Sequence, residues 1–282
     1  MPDLTPLYTL LSHVIPLDCM QARFMQQAML GLLLLAPMCA AMGVQVVNLR
    51  MAFFSDAISH SAFVGVALGL LLGVNAHLAM AGFALLVGVG IVAAARRTSL
   101  SSDTVIGVFF SAAVAFGLAV VSRDRNAARN VQAFLYGDIL TISNTEIWCL
   151  IALFVALLVF QWVGFNRLLF IGLNASLAEA HAVRVRFWQY LFAALLSLVV
   201  MFAVWAVGVL LVTALLIVPA AAARNLARTA GAMFWWALGI SWIAAVAGLL
   251  ISAQPWARTA TGATVVLVAS FCFALSLIAK RR

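Results

Sequence analysis

Apolar residues run almost unbroken through nine stretches of the chain, at about 24–47, 52–73, 77–95, 104–122, 145–165, 188–206, 209–223, 230–251 and 261–279. Most approach the ~20 residues that an α-helix needs to cross a bilayer. Backbone groups in hydrocarbon must bond within their own segment, so the stretches predict helices and not isolated strands. The 209–223 stretch is short, which leaves eight or nine transmembrane helices in an all-α, polytopic chain. Residues 1–282 read as one transmembrane domain that includes an N-terminal segment of about 1–23.

Two hydrophilic segments exceed a turn. Ser122 to Asn130 leads into VQAFLYGDILTIS, which is amphipathic and too short to span, as an interfacial or re-entrant piece would be. The second, about 166–187, contains NASLAEAHAVRVRFW and predicts a short surface helix around Glu179, His181, Arg184 and Arg186.

Composition sharpens this picture. Of 282 residues, 66% are hydrophobic and 9% charged, far from the balance of a soluble domain. The opening residues lack a basic region, short apolar core and small-residue cleavage site, so no cleavable signal peptide is expected. The net charge of +8 does not point to nucleic acid, because the Lys and Arg residues sit in short loops and at the C-terminus. With the N-terminus outside, alternation of nine spans puts Arg50, Arg96, Arg97, Arg167, Arg184, Arg186, Arg224, Arg228, Lys280, Arg281 and Arg282 in the cytoplasm. Arg23, Arg123, Arg125, Arg129 and Arg258 fall on the other side, a bias that follows the positive-inside rule. Cys19, Cys39, Cys149 and Cys272 are scattered without a Cys-x-x-Cys pair and read as apolar fillers. No phosphate-binding loop, His-Glu-x-x-His or Gly-x-Ser-x-Gly motif occurs, so neither an attached ATPase nor an intramembrane hydrolase is expected. Uphill movement of a solute would need energy from another subunit or an ion gradient.

The second span, FSDAISHSAFVGVALGLLLG, carries Asp56 and His60. An acid in a bilayer costs about 2.5–3.5 kcal/mol on insertion scales, so such residues face protein or a wet cavity. Counting from Arg50 at 1.5 Å per residue places His60 ~15 Å along the axis, near the middle of the bilayer. Spacing i, i+4 stacks the pair on one face. Carboxylate oxygen with imidazole nitrogen suits zinc, manganese or ferrous iron, without deciding among them. One chain supplies too few ligands, whereas two copies about a two-fold axis would supply two Asp and two His. A structural Asp–His hydrogen bond and a proton relay use the same residues. Beside the pair, Ala57, Ser61, Gly65, Gly69 and Gly73 form a small-residue stripe of the kind by which membrane helices approach closely. His13, His77 and His181 read as surface or interface residues.

Four stretches in register, LRMAFFSDAISHSAFVGVALG, SSDTVIGVFFSAAVAFGLAVVS, VQAFLYGDILTIS and VGVLLVTALLIVPAAAARNLA, resemble the membrane permease of bacterial zinc and manganese importers of the ATP-binding-cassette class. The resemblance implies a metal-importer, vitamin-B12-importer-like permease fold in the bacterial cytoplasmic membrane. It also implies no permanently bound cofactor, a divalent zinc or manganese ion as cargo, and ATP used by a partner. The partners implied are a second copy of the chain, a cytosolic ATPase dimer and an extracytoplasmic metal-binding protein. Asp56 and His60 take the position of the family's metal-coordinating pair. The segment with Ser176, Glu179, Ala182 and Arg184 resembles the coupling helix that meets the ATPase, with Ala182 where glycine is common.

Gly208 and Pro219 bracket a segment able to move and are gating candidates; a static packing kink explains Pro219 as well. Asp103, after Ser101 and Ser102, is expected to serve the start of its helix as cap or first-turn acid. Asp138 is a candidate for external entry. A proton-coupled secondary carrier is the alternative transporter.

Overall fold

Each apolar stretch becomes a helix, and no strand occurs among the described residues. The helices are α1 (Arg23–Asn48), α2 (Phe54–Leu72), α3 (Ala76–Ala95), α4 (Ser102–Val121), α5 (Asn144–Leu173), α6 (Ala175–Ala180), α7 (Val185–Val207), α8 (Val209–Leu226), α9 (Ala230–Ser252) and α10 (Thr261–Ala279). This computed structural model describes residues 6, 8, 9, 18–122, 140, 142–257 and 259–279. Most of the expected amphipathic segment 131–143, with Asp138, lies outside them, as do His13, Arg123, Arg125, Arg129, Arg258 and residues 280–282. Among the described residues, α1, α3, α4, α5, α7, α9 and α10 are long and apolar enough to cross a membrane, and α8 is a shorter apolar helix. With the 19-residue α2, they make a multi-pass membrane protein.

Local chemistry sets the helix starts. Asn75, Ser101, Ser143, Asn174 and Thr229 each accept a backbone N–H in the first turn of α3, α4, α5, α6 and α9. At Ser143 the cap is reciprocal, with Glu146 accepting from the Ser143 backbone.

The ends of α1 and α6 share one device. Met51 N–H bonds Val46 O and Arg50 N–H bonds Val47 O; Val183 N–H bonds Ala178 O and Ala182 N–H bonds Glu179 O. These are Schellman motifs, whose turning residue takes a left-handed backbone. Here non-glycine residues occupy it, Arg50 at φ 55° and Ala182 at φ 61°.

One boundary differs from expectation. α5 continues through Leu173, eight residues into the segment expected to leave the membrane, so the connection before α7 narrows to Asn174–Arg184. Arg167, which looked like the end of the span, lies over the ring of Trp188 on α7 at 4.9 Å from its centroid.

α1 is the axis of the bundle, with 78% of its most apolar window buried, against 28% for α4 and 22% for α10. It packs against α5, α8 and α9, and more lightly against α7. Gly43 permits the α1–α8 crossing: a Cβ there would sit 1.8 Å from the Leu216 carbonyl oxygen. Pro37, inside α1, lacks the N–H that would reach Leu33 O one turn back. The Trp242 indole of α9 donates to that carbonyl at 3.1 Å, and Ser241 donates to Ala36 O at 2.9 Å. Across α1 and α5 the Gln161 amide donates to Ala41 O at 3.0 Å and the Gln45 amide to Phe165 O at 3.4 Å.

The helices alternate in direction. Arg50, Arg224 and Leu173 line one small groove, while Arg96 of α3 reaches Glu179 of α6 and Gln189 of α7. The C-terminal ends of α1, α3, α5 and α8 therefore share one cationic end with α6, the cytoplasmic face by the positive-inside rule. At the opposite end Asn144 accepts from Tyr8 and Gln27 at 2.7 and 2.9 Å, tying the N-terminal segment to the start of α5.

Candidate functional site

α2 presents two contrasting sides. Its small residues press on α3 within the same chain: a Cβ at Gly65 would lie 2.7 Å from the Met80 backbone, and one at Gly69 2.9 Å from Ala79. The stripe is thus used for intramolecular packing. On another side, Asp56 and His60 are half-buried and line a groove of about 560 Å³ between α2 and α4. Phe53, Asp103, Thr104, Gly107 and Phe110 complete its lining.

The α2–α3 register fixes the depth. Gly65 abuts Ala79 and Met80, and Gly69 abuts Ala76 and Ala79, so the helices run antiparallel. His60, five residues before Gly65, lies level with Ala84–Leu85, the middle of α3. Asp56 is one turn, ~6 Å, nearer the cationic end. The depth agrees with expectation, although α2 begins only at Phe54, after a turn at Arg50–Phe53 that enters the bundle.

No side chain caps α2, and Asp56 occupies its first turn. The positive end of the helix dipole favours a carboxylate there and offsets part of the cost of an acid at this depth. Arg96–Glu179 is the one ion pair among the described residues, so Asp56 and His60 are not bonded to each other as a structural pair. The His60 ring instead meets Phe110 edge to face, with centroids 5.1 Å apart. Both polar side chains thus remain available to a ligand. Among the described residues, no three His, Cys, Asp or Glu side chains converge closely enough to hold a metal ion.

Asp103 is a first-turn acid, as expected, but not the cap. The cap of α4 is Ser101, whose hydroxyl accepts Thr104 N–H at 3.2 Å. Asp103 lies in the first turn, and its buried Oδ1 has no hydrogen-bond partner.

The profile of the ABC 3 transport family matches residues 21–280. The chain belongs to the ABC 3 transport family. It is 33% identical over 258 residues to the high-affinity zinc uptake system membrane protein ZnuB of Haemophilus influenzae, covering 90% of this chain and 97% of the relative. The manganese import system permease protein ScaB of Streptococcus gordonii is 30% identical over 253 residues, 90% of either chain. Among solved structures, PsaBC from Streptococcus pneumoniae in complex with Fab superposes with a TM-score of 0.77 at 30% identity, covering 91% of each chain. Family membership makes this a membrane transport subunit and not an enzyme.

In this ABC 3 chain the coupling candidates lie at the cationic end, Gly208 at the opposite end and Pro219 within α8. Ser176, Glu179, Ala182 and Arg184 are exposed at the cationic end, in and just after α6, and Ala178 alone of that helix is buried. Glu179 pairs with Arg96 at 4.0 Å. Gly208 is the single residue between α7 and α8, at φ 85° and ψ 163°, a conformation essentially confined to glycine. Pro219 lies buried inside α8, which continues through it. Asp56 and His60 therefore share one groove, whereas the coupling and gating candidates do not touch it.

His77 and His181 take local roles. His77 stacks on Trp205 at 4.1 Å, and His181 Nδ1 meets Leu177 O at 2.9 Å. Sequence reasoning missed Arg96, which ties the end of α3 to α6 and α7, and the place of Asp103 in the groove. An acid opening a span beside the Asp56/His60 span was the available signal for Asp103; the cap or first-turn role, which explains such an acid by itself, hid it.

Proposed function

We propose that this chain is the permease subunit of an ATP-driven importer of a divalent transition metal ion, zinc or manganese. Two copies act with cytosolic ATPase subunits and receive the ion from an extracytoplasmic binding protein. The observation that carries this reading is the pair of unbonded ligand side chains, Asp56 and His60, lining a groove at mid-height of the bundle. Oxygen and nitrogen donors together suit first-row divalent ions, and the zinc and manganese relatives agree with that chemistry.

One copy contributes two ligands, which is short of a tetrahedral shell. A second copy facing the groove doubles them. Transport requires that the ion also leave, so a shell assembled from two copies is useful: moving them apart dismantles it. Asp56 supplies charge against the cost of stripping water from the cation, and neutral His60 supplies a nitrogen.

The drive enters at Ser176, Glu179, Ala182 and Arg184. Arg96 connects α6 to the end of α3, and the close α2–α3 contact at Gly65 and Gly69 passes displacement of α3 to the ligand pair. On the far side, Gly208 serves as the hinge between α7 and α8, while Pro219 weakens α8 near its contact with α1.

The test is uptake of manganese or zinc into proteoliposomes holding the permease with its ATPase. Uptake is expected to require ATP on the ATPase side and to survive collapse of the pH gradient. ATP-independent uptake that stops when the gradient is collapsed would establish a proton-coupled carrier instead.

A further inference from the structure

We infer that Asp103 is a second, cytoplasm-side holding point for the cation, occupied after Asp56 and His60 release it. This rests on the transport reading above and extends it by one residue and one stage.

The groove has an order along its length. His60 and Phe110 meet at the middle of the bundle. Asp103 precedes Phe110 by seven residues, so it lies ~10 Å nearer the cationic end along α4, while Asp56 is ~6 Å nearer that end than His60. From centre to cytoplasm the ligands follow one another as His60, Asp56 and Asp103, all lining one space. They do not close into a single three-ligand cage. Successive occupation fits this arrangement.

Asp103 has no structural duty that uses its buried oxygen. Ser101 caps α4, and Oδ1 of Asp103 accepts no hydrogen bond, which is equally true of buried atoms of Gln45, Asn48, Ser55, Trp148 and Gln161; what sets Asp103 apart is its place in the groove. A buried acceptor without a donor is costly unless something else satisfies it. A first-turn acid retained for the helix dipole alone needs no place in the groove; Asp103 lines it. A carboxylate beyond Asp56 gives the departing ion a charged oxygen before it reaches water, which lowers the barrier to release without deepening the central site.

The test compares cells lacking their own copy of the gene and carrying the wild type, Asp103→Asn, Asp103→Glu, Asp103→Cys or Asp56→Asn, with membrane levels of the protein measured in each. Manganese and cadmium uptake are followed. Asp103→Asn is expected to lower the maximal manganese rate ~10-fold or more with the half-saturating concentration unchanged, and Asp103→Glu to restore most of it. Asp103→Cys is expected to raise the cadmium-to-manganese ratio severalfold, because a thiolate prefers the softer ion.

Wild-type rates in Asp103→Asn with Asp56→Asn inactive would overturn the exit role and leave the transport reading intact. Full activity in Asp56→Asn would defeat the transport reading itself. A loss of rate in Asp103→Cys with an unchanged cadmium-to-manganese ratio would reduce Asp103 to a structural acid. If Asp103→Asn does not accumulate, the Glu and Cys variants decide by the same ratio.

Discussion

Around α1, Gln45, Gln161, Ser241 and Trp242 each donate to a backbone carbonyl of another helix. In the groove between α2 and α4, Asp56 and His60 make no ion pair and Asp103 keeps a buried oxygen unpartnered. Both regions lie within the span of the bundle, yet polarity does opposite work in them. Where helices must stay together, polar side chains donate to the backbone of a neighbouring helix, as packing in lipid rewards, although Gln45 Oε1 and Gln161 Oε1 stay unpartnered there. On the proposed path of the cargo, ionisable groups are left facing a cavity. Substitutions in the first region should therefore cost stability, and those in the second should cost transport at unchanged stability.

The largest expected effect breaks the packed side. Gly43→Leu would drive a side chain into the Leu216 carbonyl oxygen, which even a Cβ would approach to 1.8 Å; a loss of about 3 kcal/mol or more should appear as failure to accumulate in membranes. Normal accumulation and melting temperature would show that α1 and α8 can separate there.

Next comes the groove. Asp56→Ala and His60→Ala should each lower metal uptake ~100-fold while membrane levels and melting temperature stay near wild type. A parallel fall in melting temperature would move these residues into the structural class.

A smaller effect sharpens the contrast at α1. Trp242→Phe removes the donor that replaces the missing Pro37 N–H and should cost about 1–3 kcal/mol by leaving Leu33 O unsatisfied. Adding Pro37→Ala restores the backbone donor, so the double variant should recover stability, a non-additivity read by thermal melts of the three proteins. Additive losses would remove the compensation.

The smallest effect is a gain. Ala182→Gly relieves the left-handed turn at φ 61° and should stabilise by about 1 kcal/mol or less. ATP-driven uptake is the second readout, since the same turn shapes the segment proposed to meet the ATPase.

The helices are legible in the sequence because each apolar run approaches bilayer length, and the Asp56/His60 pair because i, i+4 spacing fixes a shared face. The end of α5 is not, because Asn166 and Arg167 look like a loop; Trp188, on the next long helix, receives the guanidinium and lets α5 continue. The glycine stripe announces close packing but not its partner, which α3 supplies from within the chain. Asp103 is obscured because an acid at the start of a helix is explained by that position alone; the structure gives the cap to Ser101 and leaves Asp103 in the first turn. The repair of the Pro37 gap joins Trp242 to Leu33 across 209 positions of sequence, beyond any local pattern.

The most direct measurement is pulsed electron paramagnetic resonance of manganese(II) trapped in the assembled importer. The account predicts nitrogen modulation from an imidazole ligand that is present in the wild type and disappears in His60→Gln. Trapped manganese with no nitrogen coupling, or with coupling that survives His60→Gln, would contradict it.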